Sequence, residues 1–206
     1  MIIKTVTVGE IIPMNSYFYI DEKSKHGFLI DAGGNVDLLE QKIADGDWVI
    51  EKILLTHGHF DHIGAVEELG IPYYIHQNGK KYLSEPDYNL SAYFGAPIIL
   101  EKAKYFTDGD EIVLDANRNV KLEVLHTPGH TADSVVFYDA KNGVAFCGDT
   151  VFKSSVGRTD VPGGNEKQLW QSIKHKIFTL PDNTILYSGH SLPTTVGEEK
   201  KYYNMY

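Results

Sequence analysis

One cysteine, no long apolar run and no excess of positive charge set the first limits on this 206-residue chain. Cys147 alone cannot form an internal disulfide, so nothing points to an oxidising compartment. Its setting, Val144-Ala145-Phe146-Cys147, reads as an apolar strand in which a free thiol is inert packing. The N-terminal stretch Met1-Ile2-Ile3-Lys4-Thr5-Val6 alternates and soon reaches Glu10, without the apolar centre of an export signal. No apolar run approaches the roughly 20 residues of a membrane span. The expectation is a cytoplasmic protein without a membrane partner. Lys and Arg number 19 against 28 Asp and Glu, a formal charge of −9, which disfavours nucleic acid as a partner. The densest basic stretches, Lys80-Lys81 and Lys200-Lys201, have acidic neighbours and read as solvated surface.

What remains is ordinary globular material. Hydrophobic residues make up 42% and charged residues 23%, enough for a core within one domain over residues 1–206. Short strands are expected over 2–8, 16–20, 27–30 and 49–55, with a helix over 36–44 placing Val36, Leu39, Ile43 and Ala44 on one face. Asp31-Ala32-Gly33-Gly34 breaks the run between them. A helix is expected over 61–69 and a short strand over 73–75. Residues 77–106 carry Tyr82, Tyr88, Tyr93, Phe94, Tyr105 and Phe106 among Pro and Gly, without a readable period; they are packing material or the wall of a pocket. Strands return at 112–114, 120–125, 134–138, 144–147 and 184–187, with helices over 164–180 and 195–203. The strands fall into two groups, each followed by helix, which suggests two sheets packed face to face with helices outside.

The chemistry concentrates in Thr56-His57-Gly58-His59-Phe60-Asp61-His62. Imidazole is a common metal ligand near neutral pH, and carboxylate oxygen suits the same ions. Gly58 is read as letting the backbone turn tightly between His57 and His59. Asp61 and His62 would project from the first turn of a helix whose dipole favours an anion. One segment of this length does not fill a site alone, so partners are sought downstream. His130 in Leu125-His126-Thr127-Pro128-Gly129-His130-Thr131, Asp149 in Cys147-Gly148-Asp149-Thr150 and His190 in Tyr187-Ser188-Gly189-His190 each follow a strand. His126 reads as structural rather than as a proton donor.

The series THGHFDH, TPGHT, CGDT and SGH resembles the metallo-β-lactamase-fold hydrolases, and within them the short relatives of glyoxalase II. The resemblance implies an α/β fold: a four-layer αββα sandwich of two mixed sheets with helices on the outer faces. It implies two metals, the first held by His57, His59 and His130, the second by Asp61, His62 and His190, with Asp149 bridging and a hydroxide between them. Zn²⁺ is the expected ion, and the His/Asp set also accepts Fe or Mn. Asp61 would orient the attacking hydroxide and take its proton. Ser155-Val156-Gly157-Arg158-Thr159-Asp160 resembles a segment flanking the active site, where Arg158 would meet a substrate carboxylate or else pair with Asp160. Thr194 to Glu199 resembles the segment after the last histidine and reads as a helix start, whereas Ser191-Leu192 departs from the usual Gly-Pro.

The implied reaction is hydrolysis of a small-molecule thioester such as S-lactoylglutathione, because a thiol with pKa ~8.5 leaves without strong acid help. Full-length glyoxalase II carries a further helical region for glutathione, and here only 16 residues follow His190. The alternative is a persulfide dioxygenase with one Fe on His57, His130 and Asp149. A β-lactamase is disfavoured by Asp149 and the absence of an export signal, a nuclease by the charge, and an oxygen-reducing diiron protein by His59. A lactone or phosphodiester hydrolase ranks below the thioesterase. A non-catalytic scaffold would have lost ligands, and none is missing. Oligomeric state is not encoded in these patterns.

Overall fold

The structure, a computed structural model, describes residues 1–204; the last two positions of the expected 1–206 span lie outside the described residues. Alternation within single strands explains the architecture. In β2 (Met14–Ile20), Tyr17 and Tyr19 face one side, Met14, Phe18 and Ile20 the other, and all five are buried. A strand apolar on both faces must be covered on both. It lies in a six-stranded sheet of order β1 (Ile2–Val8), β2, β3 (His26–Ile30), β4 (Val49–Leu54), β5 (Tyr73–His76) and β6 (Lys104–Phe106). The first three strands pair antiparallel and β3 to β6 pair parallel.

The second sheet has the order β14 (Thr194–Thr195), β13 (Ile185–Ser188), β10 (Val144–Gly148), β9 (Val135–Asp139), β8 (Lys121–His126), β7 (Glu111–Val113). Among the described residues β10 pairs parallel with β13, and the sheet's other pairs are antiparallel. A separate hairpin joins β11 (Val151–Phe152) to β12 (Ser155–Val156).

Three apolar cores result, and they define four layers. Between the sheets lie Tyr17, Tyr19, Phe28, Leu54, Phe137 and Phe146, among others. Fully burying one such aromatic side chain contributes about 2–3 kcal/mol. Outside the first sheet, Phe18, Leu29 and Ile53 pack with Leu39 of α1 (Val36–Gly46) and Val66 of α3 (Val66–Leu69). Outside the second, Val136, Ala145, Cys147 and Leu186 pack with Leu169 of α6 (Glu166–Ser172), Ile173, Ile177 and Val196 of α7 (Val196–Asn204). This is the expected αββα sandwich. Cys147 is buried, and burial pushes its thiol far up, consistent with an inert packing role. No helix among the described residues is long and apolar enough to cross a membrane.

The elements differ from expectation where tertiary contacts override local pattern. The helix expected over 61–69 is two four-residue turns, α2 (Phe60–Ile63) and α3. The Ala65 amide donates to the Ala32 carbonyl and the Ala32 amide to the His62 carbonyl, so the chain bonds to the loop after β3 instead of continuing the helix. A Cβ on Gly64 would stand 2.5 Å from the Gly33 oxygen, so only glycine fits that junction. The helix expected over 164–180 begins at Glu166, capped by the Asn165 side chain, and opens into a π-helical turn over Ile173–Ile177. Residues 77–106, unreadable in sequence, hold a 3₁₀ turn, α4 (Lys80–Ser84), α5 (Ser91–Phe94) and β6. The small hairpin of β11 and β12 and the two-residue β14 are too short to carry a period.

One buried charge stands out just before β9. Asp133 is completely buried and neither carboxyl oxygen has a partner in hydrogen-bond geometry. Burial pushes its pKa up to about 7; weaker polar contacts from Thr131 and the Gly58 amide oppose this without reversing it. The unfolded value lies near 3.9. Between about pH 4 and pH 7 the folded protein therefore holds a proton that the unfolded chain has released, and stability falls as pH rises through that window. Asp133→Asn is expected to flatten this fall, raising the melting temperature relative to wild type at pH 8 by several degrees and far less at pH 4.5. Thermal denaturation of both proteins across the range checks it; parallel profiles would show that Asp133 is not the titrating group.

Candidate metal centre

The ends of β4, β8, β10 and β13 and the loops that follow them meet at one edge of the sandwich. The loop after β4 delivers His57 and His59, and α2 adds Asp61 and His62. The β8–β9 loop delivers His130, the residue after β10 is Asp149, and the residue two past β13 is His190. Six of these seven are buried and His190 is partly exposed. All seven residues singled out as ligands are brought together.

The donor atoms form two clusters. His57 Nε2 and His130 Nε2 lie 3.1 and 3.0 Å from His59 Nδ1. Asp61 Oδ2 lies 3.2 Å from His190 Nε2 and 3.9 Å from His62 Nε2. Asp149 spans the two, with Oδ1 3.4 Å from His62 Nε2 and Oδ2 3.6 Å from His130 and 3.4 Å from His190. Donors about 2.0–2.1 Å from a tetrahedral cation stand roughly 3.3 Å apart, so these separations suit one. Moreover, His62 Nε2 and Asp149 Oδ1 are buried without a hydrogen-bond partner, a costly arrangement for polar atoms unless something else engages them. The residues therefore fit divalent cations.

Contacts behind the rings fix their directions. His62 Nδ1 is 2.8 Å from Asp31, His130 Nδ1 2.7 Å from the Arg158 carbonyl and His190 Nδ1 2.9 Å from the Pro13 carbonyl. The His190 loop is further tied to the first sheet, since Tyr17 Oη and the Asn15 side chain both donate to the Ser188 carbonyl. Asp31 is the residue that sequence reasoning missed. It reads there only as part of a chain break, and its signal is an acid in left-handed backbone (φ 56°) directly after a strand.

Two expectations are revised and one pair of alternatives is sorted. Gly58 does not lie in left-handed backbone; it is required because a Cβ there would stand 2.5 Å from Tyr82 Cβ. α2 is a single turn, too short to supply the dipole expected of a longer helix. Of the two readings of Arg158, the structure shows the pair with Asp160, through Nε and Nη2 at 2.7 and 2.8 Å, while its backbone carbonyl contacts His130 Nδ1. His126 stacks on His76 at 3.9 Å and contacts the Ala132 carbonyl, a structural role as expected. Thr194 donates to Glu199, which also accepts from the Ser154 amide, so the segment expected to start a helix also ties α7 to the β11–β12 hairpin.

A cavity of about 360 Å³ opens over the donors. Besides His59, Asp61, His130, Asp149, His190 and Arg158, its wall is wholly apolar, with Phe60, Leu90, Phe94 and Phe152 prominent. Leu90 and Phe94 come from the aromatic segment over 77–106, which does wall a pocket.

The family model described as the Metallo-beta-lactamase superfamily matches residues 12–190. A probable metallo-hydrolase of Bacillus subtilis, YqgX, is 36% identical, covering 92% of this chain and 90% of the relative. The hydroxyacylglutathione hydrolase GloC of Haemophilus influenzae is 35% identical, covering 93% and 94%. Among solved structures, the B3 metallo-beta-lactamase BLEG-1 superposes with a TM-score of 0.90 at 36% identity, covering 97% of each chain. TTHA1623, solved in a di-iron-bound form, gives 0.85 at 32% identity, covering 97% and 98%. The chain belongs to the metallo-β-lactamase superfamily, and that membership with the His/Asp cluster supports a metal-dependent hydrolase of small molecules.

Without cations the site holds protons instead. Burial disfavours charge on His62, but Asp31, Asp149 and Asp61 outweigh it and carry its pKa well above the usual value. Burial is likewise outweighed at His190, which hydrogen bonds to Asp149 and Asp61 carry up to about 10. His57 and His59 are driven down by burial and by neighbouring imidazoles, His59 to about 3. Cation binding should therefore expel about two protons at pH 7.5. Calorimetry of Zn²⁺ binding to metal-free protein in buffers of different ionisation enthalpy measures this number; a value near zero would contradict protonated His62 and His190.

Proposed function

We propose that the protein hydrolyses acyl thioesters, using two divalent cations. His57, His59 and His130 would hold one, Asp61, His62 and His190 the other, and Asp149 would join both. When bound, such cations lower the pKa of a coordinated water and polarise the acyl carbonyl. Zn²⁺ fits this donor set, as do Fe and Mn.

One observation carries the choice of substrate. Outside the seven proposed ligands, no side chain among the described residues that line the cavity can donate a proton except Arg158, which pairs with Asp160. Tyr82, whose ring lies 6.1 Å from that of His59, has its Oη committed to the Pro162 carbonyl and the Ala132 amide. An amine or alkoxide leaving group needs a general acid, whereas a thiol of pKa ~8.5 departs as thiolate. The likeness to GloC, whose name is that of a hydroxyacylglutathione hydrolase, supports the same class. Asp61 faces the cavity with an oxygen 3.2 Å from His190 Nε2. In this reading it receives the proton of the attacking water and passes it onward, while the Arg158 and Pro13 carbonyls keep His130 and His190 in register. Water and thioester give a carboxylic acid and a thiol.

Metal analysis of protein purified without added metal, combined with assays on S-lactoylglutathione and simpler thioesters, tests this. Two cations per chain and thiol release are expected, and Asp61→Ala should lower kcat by about 100-fold or more. Full activity in that variant would sink the role given to Asp61. One iron per chain with O₂ uptake on glutathione persulfide would replace the hydrolase by the dioxygenase that uses His57, His130 and Asp149.

A further inference from the structure

Beside the cavity over the donors runs a larger groove of about 640 Å³, and the two share Ile12, Phe60, Asp61 and Phe94. A thioester with its carbonyl beside Asp61 therefore has two places for its two halves. The apolar cavity suits the acyl chain. The groove is left for the thiol half, and its charges are all of one sign. Glu10, Asp37 and Glu68 line it, all exposed, and no Lys or Arg among the described residues does. None of the three acids is held in an ion pair among the described residues. The N-terminus of α1 faces the same groove, but Asp37 in its first turn already answers that dipole.

Resting on the thioesterase reading, we propose that the groove selects the thiol half of the substrate by charge, favouring cationic or uncharged thiols over anionic ones. Glutathione, with two carboxylates and one ammonium, has a net charge of about −1 near neutral pH and is the disfavoured case. Glu10, Asp37 and Glu68 act here as specificity determinants through their field rather than by contact with the reacting atoms. Exposed charges act over roughly 10 Å at 0.1 M salt, so the preference is sensitive to ionic strength.

Three esters of one acid test this on the metal-loaded protein: S-butyryl thiocholine, S-butyryl-N-acetylcysteamine and S-butyrylglutathione, cationic, uncharged and anionic in the thiol half. At low salt, kcat/KM for the thiocholine ester is expected to exceed that for the glutathione ester by about tenfold. The triple variant Glu10→Gln, Asp37→Asn, Glu68→Gln should move the two in opposite directions relative to the uncharged ester, bringing them to within about twofold of each other. Added salt on the wild-type protein should compress the same ratio, which gives a readout independent of the variant. A wild-type enzyme that takes the glutathione ester as well as or better than the thiocholine ester overturns the proposal, as does a ratio that neither variant nor salt changes. If none of the three esters is hydrolysed, the thioesterase reading itself falls and this proposal falls with it.

Discussion

Much of the site's architecture depends on one buried carboxylate. Asp31 directly follows β3 in left-handed backbone, and its oxygens accept from the Thr56 amide and hydroxyl, both at 2.7 Å, and contact His62 Nδ1 at 2.8 Å. Those three contacts join the end of β3, the end of β4 and the turn α2. They set where the histidine loop starts, which nitrogen of His62 faces Asp61 and Asp149, and the rise in the His62 pKa. Charge-assisted hydrogen bonds in a dry environment are strong and directional, so a single acid can hold three chain segments in fixed relation. The donor constellation then follows from rigid strand ends rather than from the flexibility of loops.

The same constraint explains what was legible in the sequence. The strands β1, β2, β3, β4, β8, β9 and β10 read correctly to within one or two residues because each has at least one face of buried apolar residues. The seven converging residues were legible because His and Asp beside Gly at the ends of strands is a rare pattern with a chemical reason behind it. Asp31 was not legible because an acid before Ala-Gly-Gly has the composition of an ordinary turn. Its importance lies in contacts to residues 56 and 62, which local sequence does not encode.

The segment over 77–106 was opaque for a related reason. Its turns are organised by side chains rather than by period: Asn89 donates to the Tyr82 and Ile98 carbonyls and its oxygen accepts from the Ser91 amide. The Phe60–Phe94 stack at 4.7 Å then brings the segment against the histidine loop. Gly58 shows the same principle at one residue. The spacing of His57 and His59 suggested a tight turn, whereas the requirement is space for Tyr82, a residue from this unreadable segment.

The cavity wall shows how composition limits chemistry. Phe60, Leu90, Phe94 and Phe152 give the donors an apolar surround, yet they supply nothing that can protonate a departing group. Asp133, the one buried carboxyl whose pKa rises to about 7, lies behind the loop against Gly58 and Gly79 and is absent from the cavity lining. At the rim Arg158 pairs with Asp160, and both side chains are exposed. An active site built this way has its reactivity concentrated in the His/Asp cluster and its selectivity in the walls. It suits substrates that need activation of water and of a carbonyl but no acid for the leaving group, and a thioester meets both conditions.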